Sequence, residues 1–291
     1  MTLVAGVSWA RSRLSTSHRH YGETVTVEYP YHSLEDFLTA TMAHVDAQLD
    51  DGWNASFPVK GREIEATVLF ADIAGFSGRT VDLTPTETLI FVNNFFAWVT
   101  AEALRGRPGI VDKYIGDELM VVFSTEFGSE DPFADAIRAA HAMSENDYLA
   151  YQPHVGIASG PCVVGYVGTP LRYSASVFGA PVAMAARCAA VKPAAEGFSS
   201  SITSPASEWE GRNLDDLIVR KAFKNSDGSV DLDDSWVLED ARTVPMKNLP
   251  DTSVRELVNY GLKIPTQNAT ERARASLAFL RENNGYWPEL P

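Results

Sequence analysis

The chain has 291 residues, 45% hydrophobic and 21% charged, which is ordinary for a soluble globular protein and enough for one large or two small domains around a sizeable core. Its 24 Lys and Arg against 38 Asp and Glu leave a net charge of −14, which excludes a broad nucleic-acid or anionic-membrane surface, because both need clustered positive charge. Only Cys162 and Cys188 are present, so there is no disulfide framework; with no basic secretory n-region and no apolar run near the ~20 residues of a membrane span, a cytoplasmic protein is expected.

Residues up to about Pro30 are polar and aperiodic, read as a loosely packed arm in which His18 and His20 form a solvated pair. From Ser33 to Leu49 the apolar Leu34, Phe37, Leu38, Met42, Val45 and Leu49 recur at helical spacing, with Ser33 as N-cap ahead of Glu35 and Asp36. That helix must lie against the core or a second subunit. Next, Ile64, Ala66, Val68 and Phe70 alternate, so a strand buries that row and delivers Asp72 on the same face at its end. Ile73 to Arg79 follows as a Gly-containing loop whose backbone N–H groups are suited to phosphates, although the Gly-Lys-Ser/Thr ending of a Walker loop is missing. Thr84-Pro85-Thr86-Glu87 is a capping box with Pro at the first helical position. It opens a helix to about Leu104 with Leu89, Val92, Phe96, Val99 and Ala103 inward.

Ile110 to Phe123 reads as two short strands about Gly116-Asp117, a dipeptide that suits a tight turn because Gly accepts positive φ at the first central position. A helix from Pro132 to Ser144 turns Phe133, Ile137, Ala140 and Met143 inward, and His154 to Ala158 and Cys162 to Val167 are expected as paired strands joined by Ser159-Gly160-Pro161. Gly179 to about Val191 is Ala-rich and helical, with Arg187 projecting. Short strands are expected near Phe198 to Ile202, Leu217 to Arg220, Ser235 to Leu238 and Ser253 to Val258. The acidic run from Asn225 to Asp234 lacks EF-hand spacing and reads as a solvated turn. A final helix, Ala269 to Glu282, carries Ala273, Leu277 and Leu280 on one face. The succession is compatible with an α+β sheet covered by helices on one face.

Asp72 and Asp117 each sit at a strand end beside a Gly that lets backbone approach a ligand. Together they suit a hard divalent cation carrying phosphate, Mg²⁺ or Mn²⁺ better than Zn²⁺. Either carboxylate alone is equally an ordinary turn residue.

In their full context, Phe70-Ala-Asp72-Ile-Ala-Gly-Phe76 and Lys113-Tyr-Ile-Gly-Asp117 resemble the two metal-binding motifs of class III nucleotidyl cyclases, with a similar separation. Val155 to Gly168 resembles that family's glycine-rich strand pair, and Val177 to Arg187 its catalytic helix. The resemblance implies a ferredoxin-like fold with a mixed antiparallel sheet, flanked by an N-terminal arm and helix (1–60) and a C-terminal helical extension (261–291) around a cyclase domain (61–260). It implies two divalent cations, Mn²⁺ or Mg²⁺, on Asp72, the Ile73 carbonyl and Asp117, and triphosphate held by the amides of Ile73, Ala74, Gly75 and Phe76. Arg187 falls on the family's transition-state arginine, which acts across a head-to-tail homodimer with composite sites.

By the same resemblance Lys113 and Ser176 occupy the base-reading positions, where adenylate cyclases have Lys and guanylate cyclases Glu. At Ala183 the chain departs from the family, most purine cyclases having there an Asn that orients the ribose; an alanine methyl makes no such bond. The missing Asn, the short strand after Asp117 and the helical ends resemble the bacterial pyrimidine cyclases of the Pycsar anti-phage system. That implies a uridylate or cytidylate cyclase, UTP favoured, whose product acts on a separate effector. An adenylate cyclase with an atypical ribose contact, and a cyclase-homology module that binds nucleotide or dimerises without turnover, are the alternatives.

Overall fold

The computed structural model describes residues 29–42, 61–147, 149–169, 172–194, 201–220, 222–224, 230–232, 234–260 and 269–283. Helix α1 (Leu34–Thr41) begins at Ser33, whose hydroxyl accepts from the Asp36 N–H, as the sequence predicts. The remainder of that expected helix, with Val45 and Leu49, lies outside the described residues, as do His18 and His20.

Strand β1 (Arg62–Ile73) is the spine of the molecule. Ile64, Ala66, Val68 and Phe70 are buried, and so is the intervening row of Leu69, Ala71 and Ile73. The two rows belong to separate hydrophobic clusters on opposite faces. A short helix α2 (Phe76–Thr80) follows where a loop was expected, because Gly75, at φ 66°, turns the chain directly into it. Helix α3 (Pro85–Leu104) opens with the complete capping box of Thr84 and Glu87. Its buried stripe is Phe91, Phe95, Val99 and Ala103, rotated from the expected one, and Leu89 is 61% exposed. The two phenylalanines take the inner positions because they meet Tyr151 at ring-centroid distances of 5.1 and 5.2 Å.

β2 (Gly109–Ile115) and β3 (Glu118–Phe123) form the expected hairpin, with Ile115 opposite Glu118 and Gly116 at φ 64°. α4 (Pro132–Glu145) buries Phe133, Ile137, Ala140 and Met143 as expected. The two strands foreseen on either side of Ser159-Gly160-Pro161 are one strand, β4 (Pro153–Thr169), that passes through Gly160 at φ 145° without reversing. Its hairpin partner is β5 (Arg172–Phe178), which the sequence pattern did not expose. Helix α5 (Ala180–Ala189) follows, and β6 (Ser201–Pro205) pairs in parallel with β4.

The core order β4-β1-β3-β2, with α3 and α4 as crossovers, is the ferredoxin-like arrangement, extended on the β4 side by β6, β11 (Thr252–Asn259) and β10 (Arg242–Val244). The sheet is therefore mixed and the class α+β. Helices α3 and α4 share one face with α7 (Ala269–Asn283), while α1 and α5 cover the other. Expected helical cover on one face alone is thereby extended to both, which is why both rows of β1 are apolar. Residues 217–220 form no strand, since a short helix α6 (Leu214–Leu217) ends there. A small hairpin of β7 (Ala222–Lys224) and β8 (Val230–Leu232) spans part of the acidic run, most of which lies outside the described residues. β9 (Trp236–Leu238) pairs with β11.

Helix α5 lies against β4 over Gly156, where a Cβ would stand 2.0 Å from the Ala185 carbonyl oxygen and 2.1 Å from the Ala189 nitrogen. Gly156→Ala should push α5 off the sheet at a cost of ~1–3 kcal/mol or more, read as a lowered Tm. An unchanged Tm would contradict this packing.

Candidate active site

Asp72 and Asp117 come together because β1 is flanked by β3, and the β2–β3 turn carries Asp117 past the end of β1. The Ile73 backbone N–H faces the Asp117 carboxylate, and that of His154 faces Asp72. One Asp72 oxygen, Oδ1, is buried with no hydrogen-bond partner. Burial holds the Asp72 carboxyl up at about 7, helped by repulsion from Asp117 and Glu118. The Asp117 carboxyl is also raised by burial. A buried carboxylate oxygen lacking a partner, beside a second carboxylate, fits the all-oxygen donor set of Mg²⁺ or Mn²⁺. No group of three or more His, Cys, Asp and Glu suited to a metal occurs among the described residues, so protein ligation would need a backbone carbonyl as well.

Glu118 is a third carboxylate in this field, overlooked by the sequence reading. Burial and then Asp117 raise its pKa, and Arg187 of the same chain lowers it. Its adjacency to Asp117 in a Gly-Asp-Glu turn was the available signal. Arg187 is half-buried on α5, with Ala183 one turn earlier and exposed on the same side.

The structure separates the four loop amides assigned to phosphate. Ala74 N–H donates to the Gln152 carbonyl at 3.3 Å, and Ile73 N–H faces Asp117. Gly75 and Phe76 stand at the entry to α2. Behind this turn lies Arg79, fully buried, donating to Ala74 O at 2.8 Å, Ala150 O at 2.6 Å and Gln152 Oε1 at 3.0 Å. An arginine within a polar loop gave no sequence signal that it is a structural pin.

Lys113 and Ser176, 63 positions apart, are in direct contact: Lys113 Nζ donates to Ser176 Oγ at 2.5 Å. Asp112, which the sequence reading passed over, accepts from both. No helix among the described residues is long and apolar enough to cross a membrane.

The Asp72 carboxyl titrates near 3.8 when unfolded and at about 7 when folded. The folded state thus holds the proton more tightly, so this group's stabilisation of the metal-free chain is full below about pH 4 and lost as pH rises through 7. Asp72→Asn should flatten that slope and leave the chain more stable than its parent at pH 8 in EDTA, measured by urea unfolding. A parent stability that rises from pH 4 to 8, with no flattening in the variant, would contradict the assignment.

Residues 59–196 match the model of the adenylate and guanylate cyclase catalytic domain. Uncharacterized proteins of Mycobacterium tuberculosis and Mycobacterium bovis are 35% identical over 157 residues, 52% of this chain and 29% of theirs. The chain thus spans under a third of the length of those curated relatives. Among solved structures, a bacterial light-regulated adenylyl cyclase superposes with TM-score 0.51 at 22% identity, over 76% of this chain and 58% of that one. The adenylyl cyclase CyaB from P. aeruginosa does so with TM-score 0.50 at 19% identity, over 71% of this chain and 100% of that one. The fold is theirs, and residues 59–196, just under half of the chain, are similar to the adenylate and guanylate cyclase catalytic domain.

Proposed function

We propose that the protein is a metal-dependent nucleotidyl cyclase that converts a pyrimidine nucleoside triphosphate, UTP in preference, to its 3′,5′-cyclic monophosphate and diphosphate. The observation that carries the reading is the pair of half-buried carboxylates Asp72 and Asp117, with the Asp72 Oδ1 atom buried and without a partner. In this reading Asp72, Asp117 and the Ile73 carbonyl hold two divalent cations, Mg²⁺ or Mn²⁺, which when bound activate the 3′-hydroxyl and neutralise phosphate charge. The 3′-oxygen forms a bond to the α-phosphorus, the bond to the diphosphate breaks, and the hydroxyl proton leaves to solvent. The amides of Gly75 and Phe76 are the loop donors left to meet phosphate, since those of Ile73 and Ala74 face protein acceptors. Lys113 and Ser176 meet the base.

Arg187 stabilises charge on the transferring phosphoryl group, for which a planar guanidinium with fixed donors is suited. Its half-exposed position on α5 supports contact with a second copy. So do Tyr114, Ile115 and Phe178, which are 45–47% exposed. The domain division is a core of 61–260 with an N-terminal helical arm and the C-terminal α7. The product would be a second messenger for a separate effector in antiviral defence. Lys113 suits adenine as well, so an adenylate cyclase is the second reading.

Asp72→Ala or Asp117→Ala should abolish cyclisation with the fold retained, and near-normal turnover at saturating Mn²⁺ would sink the metal assignment. Arg187→Ala should lower kcat far more than affinity, by the ~2.7–4 kcal/mol typical of such a donor. Mixed with Asp72→Ala, it should regain activity if sites are composite, because the heterodimer then has one site bearing neither lesion. A confirmed heterodimer without activity would assign each site to one subunit. With the four ribonucleoside triphosphates in equal competition, cyclic UMP should dominate; predominant cyclic AMP would leave the adenylate reading standing, and no cyclic product from any would leave a nucleotide-binding module.

A further inference from the structure

Strand β5 pairs with β4 on one side and, among the described residues, with no strand on the other. Outward N–H groups of such an edge ordinarily need cover. Two carboxylates supply it. Glu35 of α1 accepts from Ala175 N–H at 2.9 Å, and Asp112 Oδ1 accepts from Val177 N–H at 3.2 Å. Between these, the Ser176 hydroxyl donates to Asp112 Oδ2 at 3.1 Å while Oγ accepts from Lys113 Nζ at 2.5 Å. Lys113 Nζ also lies 3.1 Å from Asp112 Oδ2.

Adjacent residues on a regular strand point to opposite faces, so Asp112 and Lys113 would ordinarily not reach the same hydroxyl. They do so because the β2–β3 register shifts between them: Val111 is opposite Val121 and Lys113 opposite Met120, which leaves Asp112 as the extra residue of a β-bulge. The Asp112 side chain has no exposed surface, whereas that of Lys113 is 38% exposed. Carboxylate stands behind, ammonium in front.

We propose that Asp112 is a positioning residue that fixes the hydrogen-bond polarity of the Lys113–Ser176 pair, so that Ser176 meets a ligand as acceptor and Lys113 as donor. The inference rests on reading that pair as the base contact. A hydroxyl has one proton and two lone pairs; Asp112 takes the proton and Lys113 one lone pair, leaving one to accept. An ammonium has three N–H groups; Ser176 and Asp112 engage two, leaving one to donate. The matching ligand is a nucleobase edge with a hydrogen-bond acceptor beside an N–H donor, held in one orientation.

Asp112→Asn is nearly isosteric and can keep the Val177 contact through its carbonyl oxygen, but its amide must then donate to Ser176 Oγ and turn the hydroxyl proton toward the ligand. A donor then faces the base N–H. KM for the preferred nucleoside triphosphate should rise about tenfold, more than in Ser176→Ala, with kcat little changed. Adding Ser176→Ala to Asp112→Asn should restore part of the loss, because the misdirected hydroxyl is removed. A double variant as poor as Asp112→Asn, or poorer, would overturn the proposal. Should Asp112→Asn not fold, the parent decides with an analogue methylated at the base N–H. Ser176→Ala should cost such an analogue nothing further, and an undiminished Ser176→Ala penalty with it would overturn the proposal equally. Failure of the underlying reading looks different: Lys113→Ala and Ser176→Ala would both leave KM and the order of nucleotide preference unchanged.

Discussion

Asp72 and Asp117 stand near one another, both half-buried, at one end of the sheet, and much of the fold fixes their places there. Strand β1 is buried on both faces, so its direction is fixed by side chains packed from above and below. Such a strand cannot tilt to bring Asp72 out to water. The hairpin that carries Asp117 is tied to β1 through five register pairs from Thr67–Phe123 to Ala71–Leu119. Left to themselves, the two anions would separate or take up a proton; burial first, and repulsion from Asp117 after it, raises the Asp72 carboxyl. The surrounding hydrogen bonds resist the first of these escapes.

On the Asp72 side, the turn is held by Arg79. Its guanidinium ties the turn after Asp72 to the segment that leads into β4, and the side-chain oxygen of Gln152 that it shares also accepts from Arg272 of α7 at 2.6 Å. Asp147, partly buried close by, accepts from the Tyr151 and Gln152 N–H groups, and its charge favours the charged form of Arg79. Thr270 of α7 donates to the Gly78 carbonyl, and Ser276 to that of Leu149. Helix α7 thus touches the turn after Asp72, and the segment leading into β4, from behind at several points. A helix outside the matched segment is part of what holds the turn after Asp72 in shape.

Much of this was legible in the sequence where local chemistry decides the outcome. Capping at Ser33 and Thr84, the Gly116 turn, the inward face of α4 and the Ala273, Leu277, Leu280 stripe of α7 each follow from neighbours within a few residues. The failures share a cause in long-range packing. The α3 stripe departs from its local pattern because Phe91 and Phe95 pack inward on Tyr151, which lies far along the chain. β5 carries no local signal because Arg172-Tyr-Ser-Ala-Ser has little apolar alternation, and its cover comes from carboxylates on α1 and β2 instead. Gly160 and Pro161 suggested a reversal, yet a bend inside a long strand uses the same residues. At the site, the motifs named Asp72, Asp117, Lys113, Ser176 and Arg187, whereas Asp112, Glu118 and Arg79 are defined only by what the fold brings against them.

The cover of β5 also joins the two halves of the site. A neighbouring strand would have capped its N–H groups uniformly and left its side chains free to vary. Carboxylates on α1 and on the β2 bulge cap them one at a time, at Ala175 and Val177, on either side of the residue that faces Lys113. The bulge that releases Asp112 lies in the strand whose following turn carries Asp117. Displacement of β2 along β3 would therefore move the second acidic strand tip and the Lys113–Ser176 pair together. Strand β2 is the sheet's edge and is half exposed at most of its positions, so its place depends on β3, on Asp112 and on the Phe96–Tyr114 contact at 4.3 Å. One bulged edge strand consequently places both the Asp117 turn and the Lys113–Ser176 pair.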